Sequence, residues 1–182
     1  MKYPYKIADE LIPVLKQYRN QPSPPEGTSL QDTFRMALKE MAKQVSVKST
    51  DELKVENKTF KNSEGIDIKL RVFTPNANTE TLPCLYWMHG GGTMSGLPEQ
   101  EDSTLFDMAL EVGCVIVSVD YRLAPENPYP APINDCYEGL VYVANNANDF
   151  NIDNERIAVL LNEGYRVHLE PLYSNNHSLL AT

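Results

Sequence analysis

The sequence has few cysteines, no long apolar run and no excess of basic residues, and each deficit excludes a class of protein. Its three cysteines are odd in number and lack C-x-x-C spacing, which argues against a disulfide scaffold or a metal site. We therefore expect free thiols in a reducing compartment. No run approaches the length of a membrane span, and the first residues contain no signal-peptide core. These features favour a cytoplasmic protein without a membrane span.

The charge balance is acidic. Sixteen Lys and Arg residues against 25 Asp and Glu residues give a formal net charge of -9, and the sequence pI is about 4.8. This balance argues against a nucleic-acid partner and against attraction to anionic lipid. A length of 182 residues with 42% hydrophobic content is sufficient for one domain with a substantial core.

A short apolar run at 85–88 is followed by His89 and by three consecutive glycines, Gly90, Gly91 and Gly92. Such a run, ended by glycines, predicts a buried strand that leads into a loop. Without Cβ atoms, the loop backbone can adopt positive φ and turn its N–H groups toward the oxyanion of an acyl-transfer reaction. A simple glycine-rich turn or a phosphate-binding loop is also possible, although no G-x-G-x-x-G or G-K-[ST] pattern follows.

The rest of the chain shows helix and strand patterns in the order of an α/β protein. Two amphipathic helices are expected in residues 1–45, the second over residues 30–45 with Ser29 and Asp32 as its starting signal. These helices either pack on the core or form a lid over a site. Two alternating segments separated by turn residues then predict an antiparallel hairpin. Later buried strands alternate with helices, which predicts a parallel sheet. The predicted segments are strands at 53–60, 66–73, 85–88, 115–119 and ending near 160, and helices at 99–112 and 133–147.

A second motif follows the predicted strand at 115–119. Residues 120–126 read Asp-Tyr-Arg-Leu-Ala-Pro-Glu, and residues 129–132 read Tyr-Pro-Ala-Pro at the start of a helix. Together with the His-Gly-Gly-Gly stretch at 89–92, these motifs resemble the hormone-sensitive-lipase-like branch of the α/β-hydrolases. The resemblance implies an incomplete α/β-hydrolase fold with a mostly parallel sheet, an N-terminal antiparallel hairpin and two N-terminal cap helices.

The resemblance also divides the chain into three parts. Residues 1–45 correspond to a helical cap segment, residues 50–160 to the first half of the hydrolase core, and residues 161–182 to a remnant of the family's C-terminus. Gly91 and Gly92 are implied to supply oxyanion-hole N–H groups. Four residues are implied to support that loop: His89, Asp120, Arg122 and Glu126.

The charged residues of the second motif also allow a simpler interpretation. Arg122 could pair with Asp120 or Glu126 in a buried ion pair that holds the crossover. The family implies a small acyl ester as the substrate, and neither a cofactor nor a metal ion is expected.

The G-x-S-x-G turn that carries the family's nucleophile is absent. At its place, residues 159–164 read Val-Leu-Leu-Asn-Glu-Gly. The nearest similar stretch, at 92–96, has the wrong spacing, so Ser95 is a poor candidate nucleophile. Residues 160–177 resemble the end of a full-length member, in which His177 would be the catalytic histidine; it is equally interpreted as an exposed residue of a tail. A splice, a gene-model error or an internal deletion would each produce such a join.

Two functional classes remain. By family, the chain is an esterase of small carboxylic esters, in which a serine attacks and a histidine accepts its proton. The alternative is a non-catalytic truncated product or pseudoenzyme that retains the fold and at most binds a small molecule. The missing serine and its missing acidic partner favour the alternative for this polypeptide. Loss of the middle of the sheet would also leave an exposed edge, through which self-association is expected.

Overall fold

The computed structural model describes residues 8–13, 16, 25–76 and 81–162. Helix α1 spans Leu30–Val45, as predicted, and Ser29 caps it. The Ser29 Oγ accepts a hydrogen bond of 3.0 Å from the Asp32 N–H, which satisfies one of the free donors of the first helical turn. The preceding helix expected from the sequence is represented by a 3₁₀ turn at Asp9–Leu11, and much of it lies outside the described residues.

The other elements follow the predicted order. Two further 3₁₀ turns lie at Pro98–Glu101, before the second helix, and at Ala147–Phe150, after the third. The strands are β1 (Leu53–Lys61), β2 (Asp67–Pro75), β3 (Leu82–Met88), β4 (Val115–Asp120) and β5 (Ile152–Leu161), and the two further helices are α2 (Asp102–Val112) and α3 (Ala131–Asn145).

The five strands form one sheet in the order β1-β2-β4-β3-β5. The β1–β2 hairpin is antiparallel, as predicted, and β3 pairs in parallel with both β4 and β5. β2 also pairs antiparallel with β4, so the sheet is mixed: two of its four pairings are antiparallel, and only β2 runs against the other four strands. Only six residues separate β2 from β3, whereas a parallel crossover needs a dozen or more residues.

Two apolar clusters cover opposite faces of the sheet. β4 illustrates the division, since Val115, Val117 and Val119 belong to the cluster on the α3 side, and Ile116 belongs to the cluster on the α2 side. All four side chains are fully buried. Burial on both faces explains why this strand is a continuous apolar run in the sequence instead of an alternating one.

The parallel strands place three chain segments at one edge of the sheet. The glycine loop follows β3, the motif at 120–126 follows β4, and Asn162 follows β5. Ligands of open α/β sheets bind outside the carboxyl ends of the strands. In the described part of the chain, no helix is both long and apolar enough to cross a membrane.

Candidate active site

The glycine loop folds back on itself directly after β3. Gly91 has φ 137° and Gly92 has φ 65°, conformations that residues with side chains rarely adopt. The Gly91 carbonyl oxygen accepts hydrogen bonds from the Met94 N–H (3.2 Å), the Ser95 N–H (3.0 Å) and the Ser95 Oγ (2.9 Å). A Cβ on Gly91 would overlap the Ser95 carbonyl oxygen, so the tight turn requires a glycine at this position.

A cleft of about 290 Å³ lies between this loop and α1. Its lining includes Gly90 and Gly91 of the loop and an apolar stripe of α1. Within the described part of the chain, the Gly91 N–H donates to no acceptor. The lining thus includes a glycine whose N–H has no acceptor among the described residues, together with three apolar side chains of α1. The residues lining it are Phe34, Leu38, Met41, Gly90, Gly91, Gln100 and Glu101.

His89 is fully buried at the base of the loop. Its ring stacks on Tyr121 with 4.2 Å between centroids, and the Tyr121 hydroxyl donates a hydrogen bond of 2.7 Å to the His89 carbonyl oxygen. The His89 Nδ1 lies 3.0 Å from the Gly90 carbonyl oxygen, which assigns the ring proton to Nδ1. Burial lowers the pKa of His89 to about 4, so the imidazole is neutral at neutral pH.

Arg122 does not pair with either acidic residue of its own motif, so the simpler ion-pair interpretation is wrong. Its guanidinium binds the fully buried Asp135 of α3, at 2.8 and 2.9 Å, and Glu64 of the β1–β2 turn, at 2.9 Å on both oxygens. The Arg122 N–H also donates to Asp135 at 3.0 Å. Arg122 thus joins the loop after β4 to α3 and to the hairpin turn.

The two acidic residues of the motif have different surroundings. Glu126 pairs with Arg35 of α1 at 2.7 Å, and this hydrogen bond lowers the Glu126 pKa. Asp120 is partly buried at the end of β4, and burial, followed by the nearby negative charge of Glu99, raises its pKa. Sequence reasoning identified Glu126 but missed Arg35, because 91 residues separate the partners.

The position after β5, where the family's nucleophile turn would begin, is occupied by Asn162. Its N–H donates to the Met88 carbonyl oxygen at 2.9 Å, and its side-chain amide donates to Glu101. The Trp87 indole N–H donates to the same carboxylate. Glu101 therefore links the ends of β3 and β5 at the mouth of the cleft, a role that its place in an acidic turn did not reveal.

The remaining candidates do not complete a catalytic triad among the described residues. Ser95 is 6% exposed, and its hydroxyl donates to the Gly91 carbonyl oxygen instead of to a base. His177 and the rest of the expected C-terminal remnant after Asn162 lie outside the described residues.

Comparison with known proteins agrees with this geometry. Residues 85–160 match a family model described as the alpha/beta hydrolase fold. An AB hydrolase superfamily protein of Schizosaccharomyces pombe is 39% identical over 115 residues, which cover 62% of this chain and 33% of that protein. The carboxylesterase NlhH of Mycobacterium tuberculosis is 40% identical over 108 residues, which cover 59% of this chain and 34% of the esterase.

The fold also matches part of the chain of solved hydrolase structures. An ester hydrolase from the metagenome of Lake Arreo superposes with a TM-score of 0.69 at 31% identity, over 84% of this chain and 48% of that one. The chain thus spans about a third of the length of these curated relatives and about half of the solved hydrolase. The sheet order and the matches show that the region shared with these relatives has the α/β-hydrolase fold, and together with the two motifs they support the hormone-sensitive-lipase-like branch of that family.

Proposed function

We propose that this chain binds a small acyl compound in the cleft between α1 and the glycine loop and does not hydrolyse esters by itself. The carbonyl or carboxylate oxygen of the ligand accepts a hydrogen bond from the N–H of Gly91, beside Gly92, and its alkyl part packs against α1. The observation that carries the proposal is the cleft, whose lining includes both Gly91 and the apolar residues Phe34, Leu38 and Met41.

The loop is preorganised for such a ligand. Positive φ at both glycines and the three hydrogen bonds to the Gly91 carbonyl oxygen hold the turn in one shape, so binding needs little reorganisation of the backbone. His89 supports the turn from below through Tyr121, while Arg122 and Glu126 connect the neighbouring loop to α3 and α1. Asp120 lies at the end of β4 beside them. In this proposal α1 serves as a cap, and small acyl esters or acids are the ligand class.

Absence of turnover is supported by the sequence and by Ser95. The 182 residues contain no G-x-S-x-G pattern, and a serine is a weak nucleophile without a base bonded to its hydroxyl. The His89 imidazole, with a pKa of about 4, is a poor proton acceptor and is held by ring stacking. His177, which the resemblance implies as the catalytic histidine, would need a serine in a nucleophile turn, and the sequence contains no such turn.

Glycine-selective ¹⁵N labelling gives a direct test of the proposal. Titration with methyl butyrate is expected to shift the amide signals of Gly91 and Gly92 and to leave the signals of Gly65 and Gly113 in place. The same protein is expected to hydrolyse p-nitrophenyl butyrate at the rate of an unrelated histidine-containing protein. Saturable hydrolysis that Ser95→Ala abolishes would instead establish an esterase.

Two wider proposals follow from the same architecture. In the described part of the chain, β5 pairs only with β3, and we propose that its other edge mediates self-association, which analytical ultracentrifugation would detect. We also propose a cytoplasmic location, because Cys84, Cys114 and Cys136 are free thiols. Trapping with an alkylating reagent in intact cells measures their oxidation state.

A further inference from the structure

One guanidinium joins three elements beside the cleft. Arg35 projects from α1 and donates from Nε to the Met94 carbonyl oxygen of the glycine loop, at 2.7 Å. Its Nη2 donates to the Ala124 carbonyl oxygen of the loop after β4, at 2.6 Å, and its Nη1 donates to Glu126 of that loop, at 2.7 Å. The side chain is only 17% exposed, so these bonds are partly shielded from water.

Gln31 repeats the arrangement one helical turn earlier. Its side-chain amide donates to the same two carbonyl oxygens, at 3.1 Å for Met94 and 2.9 Å for Ala124. Residues four apart lie on one face of a helix, so Gln31 and Arg35 form a polar stripe that faces both loops. An arginine can bind two carbonyls and a carboxylate at once because its five donors have a fixed planar geometry.

The glycine loop and the loop after β4 are also hydrogen-bonded to each other. The Ala124 N–H donates to the Thr93 carbonyl oxygen at 2.9 Å, and the Ser95 N–H donates to the Gly91 carbonyl oxygen at 3.0 Å. The Met94 carbonyl that Arg35 binds therefore belongs to the turn that holds Gly91. A change at Arg35 is transmitted to the glycine loop through only a few bonds of backbone.

The neighbouring side of the same helical turn lines the cleft. Phe34 and Leu38, which flank Arg35 along α1, line the cleft opposite Gly91. The helix thus lines the ligand space with one stripe and holds the glycine loop with the adjacent stripe. Displacement of α1 would open the cleft and remove the bonds to Met94 and Ala124 together.

We propose that Arg35 is a positioning residue that couples the docking of α1 to the conformation of the glycine loop. The ligand part of the inference rests on the proposed function, whereas the coupling exists without a ligand. Since docking and loop order share the same bonds, a ligand held between α1 and Gly91 stabilises both, and linkage makes the effect reciprocal.

Amide hydrogen exchange in the ligand-free protein tests the coupling. Arg35→Gln is expected to accelerate exchange at Ser95 and Ala124 by at least about tenfold, the effect of losing charge-assisted hydrogen bonds. Lys43→Gln is the matched control on the same helix, since its partner is the exposed Glu40 and neither residue reaches the loops. Unchanged exchange at Ser95 and Ala124 in folded Arg35→Gln would overturn the proposal.

Two more variants separate the coupling from a simple ion pair and cover the case in which Arg35→Gln does not fold. Arg35→Lys retains the charge opposite Glu126 but cannot span both carbonyls, so it is expected to leave the faster exchange largely unrescued. Glu126→Gln removes the ion pair and retains the carbonyl bonds, and it is expected to have a small effect. Full rescue by the lysine, or an equal effect of Glu126→Gln, would show that only the ion pair matters.

The ligand experiment distinguishes the two proposals. In wild-type protein, methyl butyrate is expected to slow exchange at Ser95 and also in α1, and in Arg35→Lys its affinity is expected to fall about tenfold. If wild-type protein does not bind methyl butyrate, the proposed function fails, while the ligand-free exchange data still decide the coupling. If the ligand binds wild-type and Arg35→Lys equally, the coupling is contradicted and the proposed function stands.

Discussion

At the scale of single residues, the site depends on the positions where only one residue type fits. Gly91 is held by both its φ of 137° and the nearby Ser95 carbonyl oxygen, whereas Gly92, with φ 65°, has no atom within 4 Å of an added Cβ. Substitutions at the two adjacent glycines therefore distinguish the cost of backbone strain from the cost of steric overlap. A comparison of their alanine variants measures how rigid the loop is.

Gly91→Ala is expected to destabilise the protein by about 3 kcal/mol, because it adds overlap with the Ser95 backbone to the strain of an unfavourable φ. Gly92→Ala is expected to cost only about 1 kcal/mol, the strain of a left-handed conformation. Urea unfolding of both variants beside wild type gives the two values. Equal costs would mean that the turn relaxes around Gly91 and that the loop is not preorganised.

The buried His89 predicts a pH dependence of stability. Its folded pKa of about 4 lies below the ordinary value of 6.5, so the unfolded chain binds a proton at a pH at which the folded protein does not. The contribution of the neutral His89 to the free energy of unfolding is complete above about pH 6.5 and is lost as the pH falls toward 4. The total loss is about 3 kcal/mol. Urea unfolding of wild type and His89→Gln across this range should show a smaller loss in the variant. An imidazole that titrates near 6.5 by NMR would contradict the buried neutral state.

At the scale of elements, a second buried ion pair connects α1 to the sheet. Arg71 of β2 donates from Nε to Asp102, the first residue of α2, at 2.6 Å, and Asp102 has no exposed surface. The Val47 N–H, in the segment after α1, donates to the same carboxylate at 2.9 Å, and its carbonyl accepts from Arg71 at 3.1 Å. The pair thus holds the start of α2 and the exit of α1 against β2.

Asp102→Leu is expected to destabilise the protein by roughly 3 to 5 kcal/mol, because it leaves the Arg71 charge buried without its partner. The double variant Arg71→Met with Asp102→Leu removes both charges and is expected to recover part of the loss. Lys61→Ala breaks the exposed pair with Asp67 and is expected to cost less than about 1 kcal/mol. Thermal unfolding of wild type and the three variants gives the comparison, and a double variant that is less stable than Asp102→Leu alone would contradict the pairing.

The elements themselves were more predictable than their contacts. Local signals were sufficient for α1, whose Ser29 cap lies three residues from Asp32, and for the glycine loop, where an apolar run stops abruptly. The partners of Arg122 and Arg35 were not predictable, because many side chains in the chain carry the same charge and only the packed fold selects among them. Likewise, the alternation of strands and helices predicted that β3 and β4 pair in parallel, but it did not predict that β2 pairs antiparallel with β4.

At the scale of the whole molecule, the proposed function depends on a cleft that several elements form together. The cleft exists only where α1 crosses the carboxyl edge of β3, and neither the apolar stripe of α1 nor the glycine triplet indicates the other in the sequence. The relatives named above are about two to three times as long as the region that they share with this chain. The match to the family model ends at residue 160, within β5.

Within the described residues, the outer edge of β5 has no neighbouring strand, which predicts concentration-dependent association. One face of this strand packs through Ile157 and Val159 on the core, while Ala158 and Leu160 on the other face are exposed. An exposed strand edge with apolar neighbours is a template for pairing with a second copy, and a lysine beside such an edge opposes pairing because its charge would have to be buried. Leu160→Lys is therefore expected to reduce self-association in sedimentation velocity experiments over a wide concentration range. Tyr129→Lys, which removes an 80% exposed aromatic residue in the loop after β4, is the control and should associate like wild type. Equal association of both variants and wild type would exclude the β5 edge as the contact.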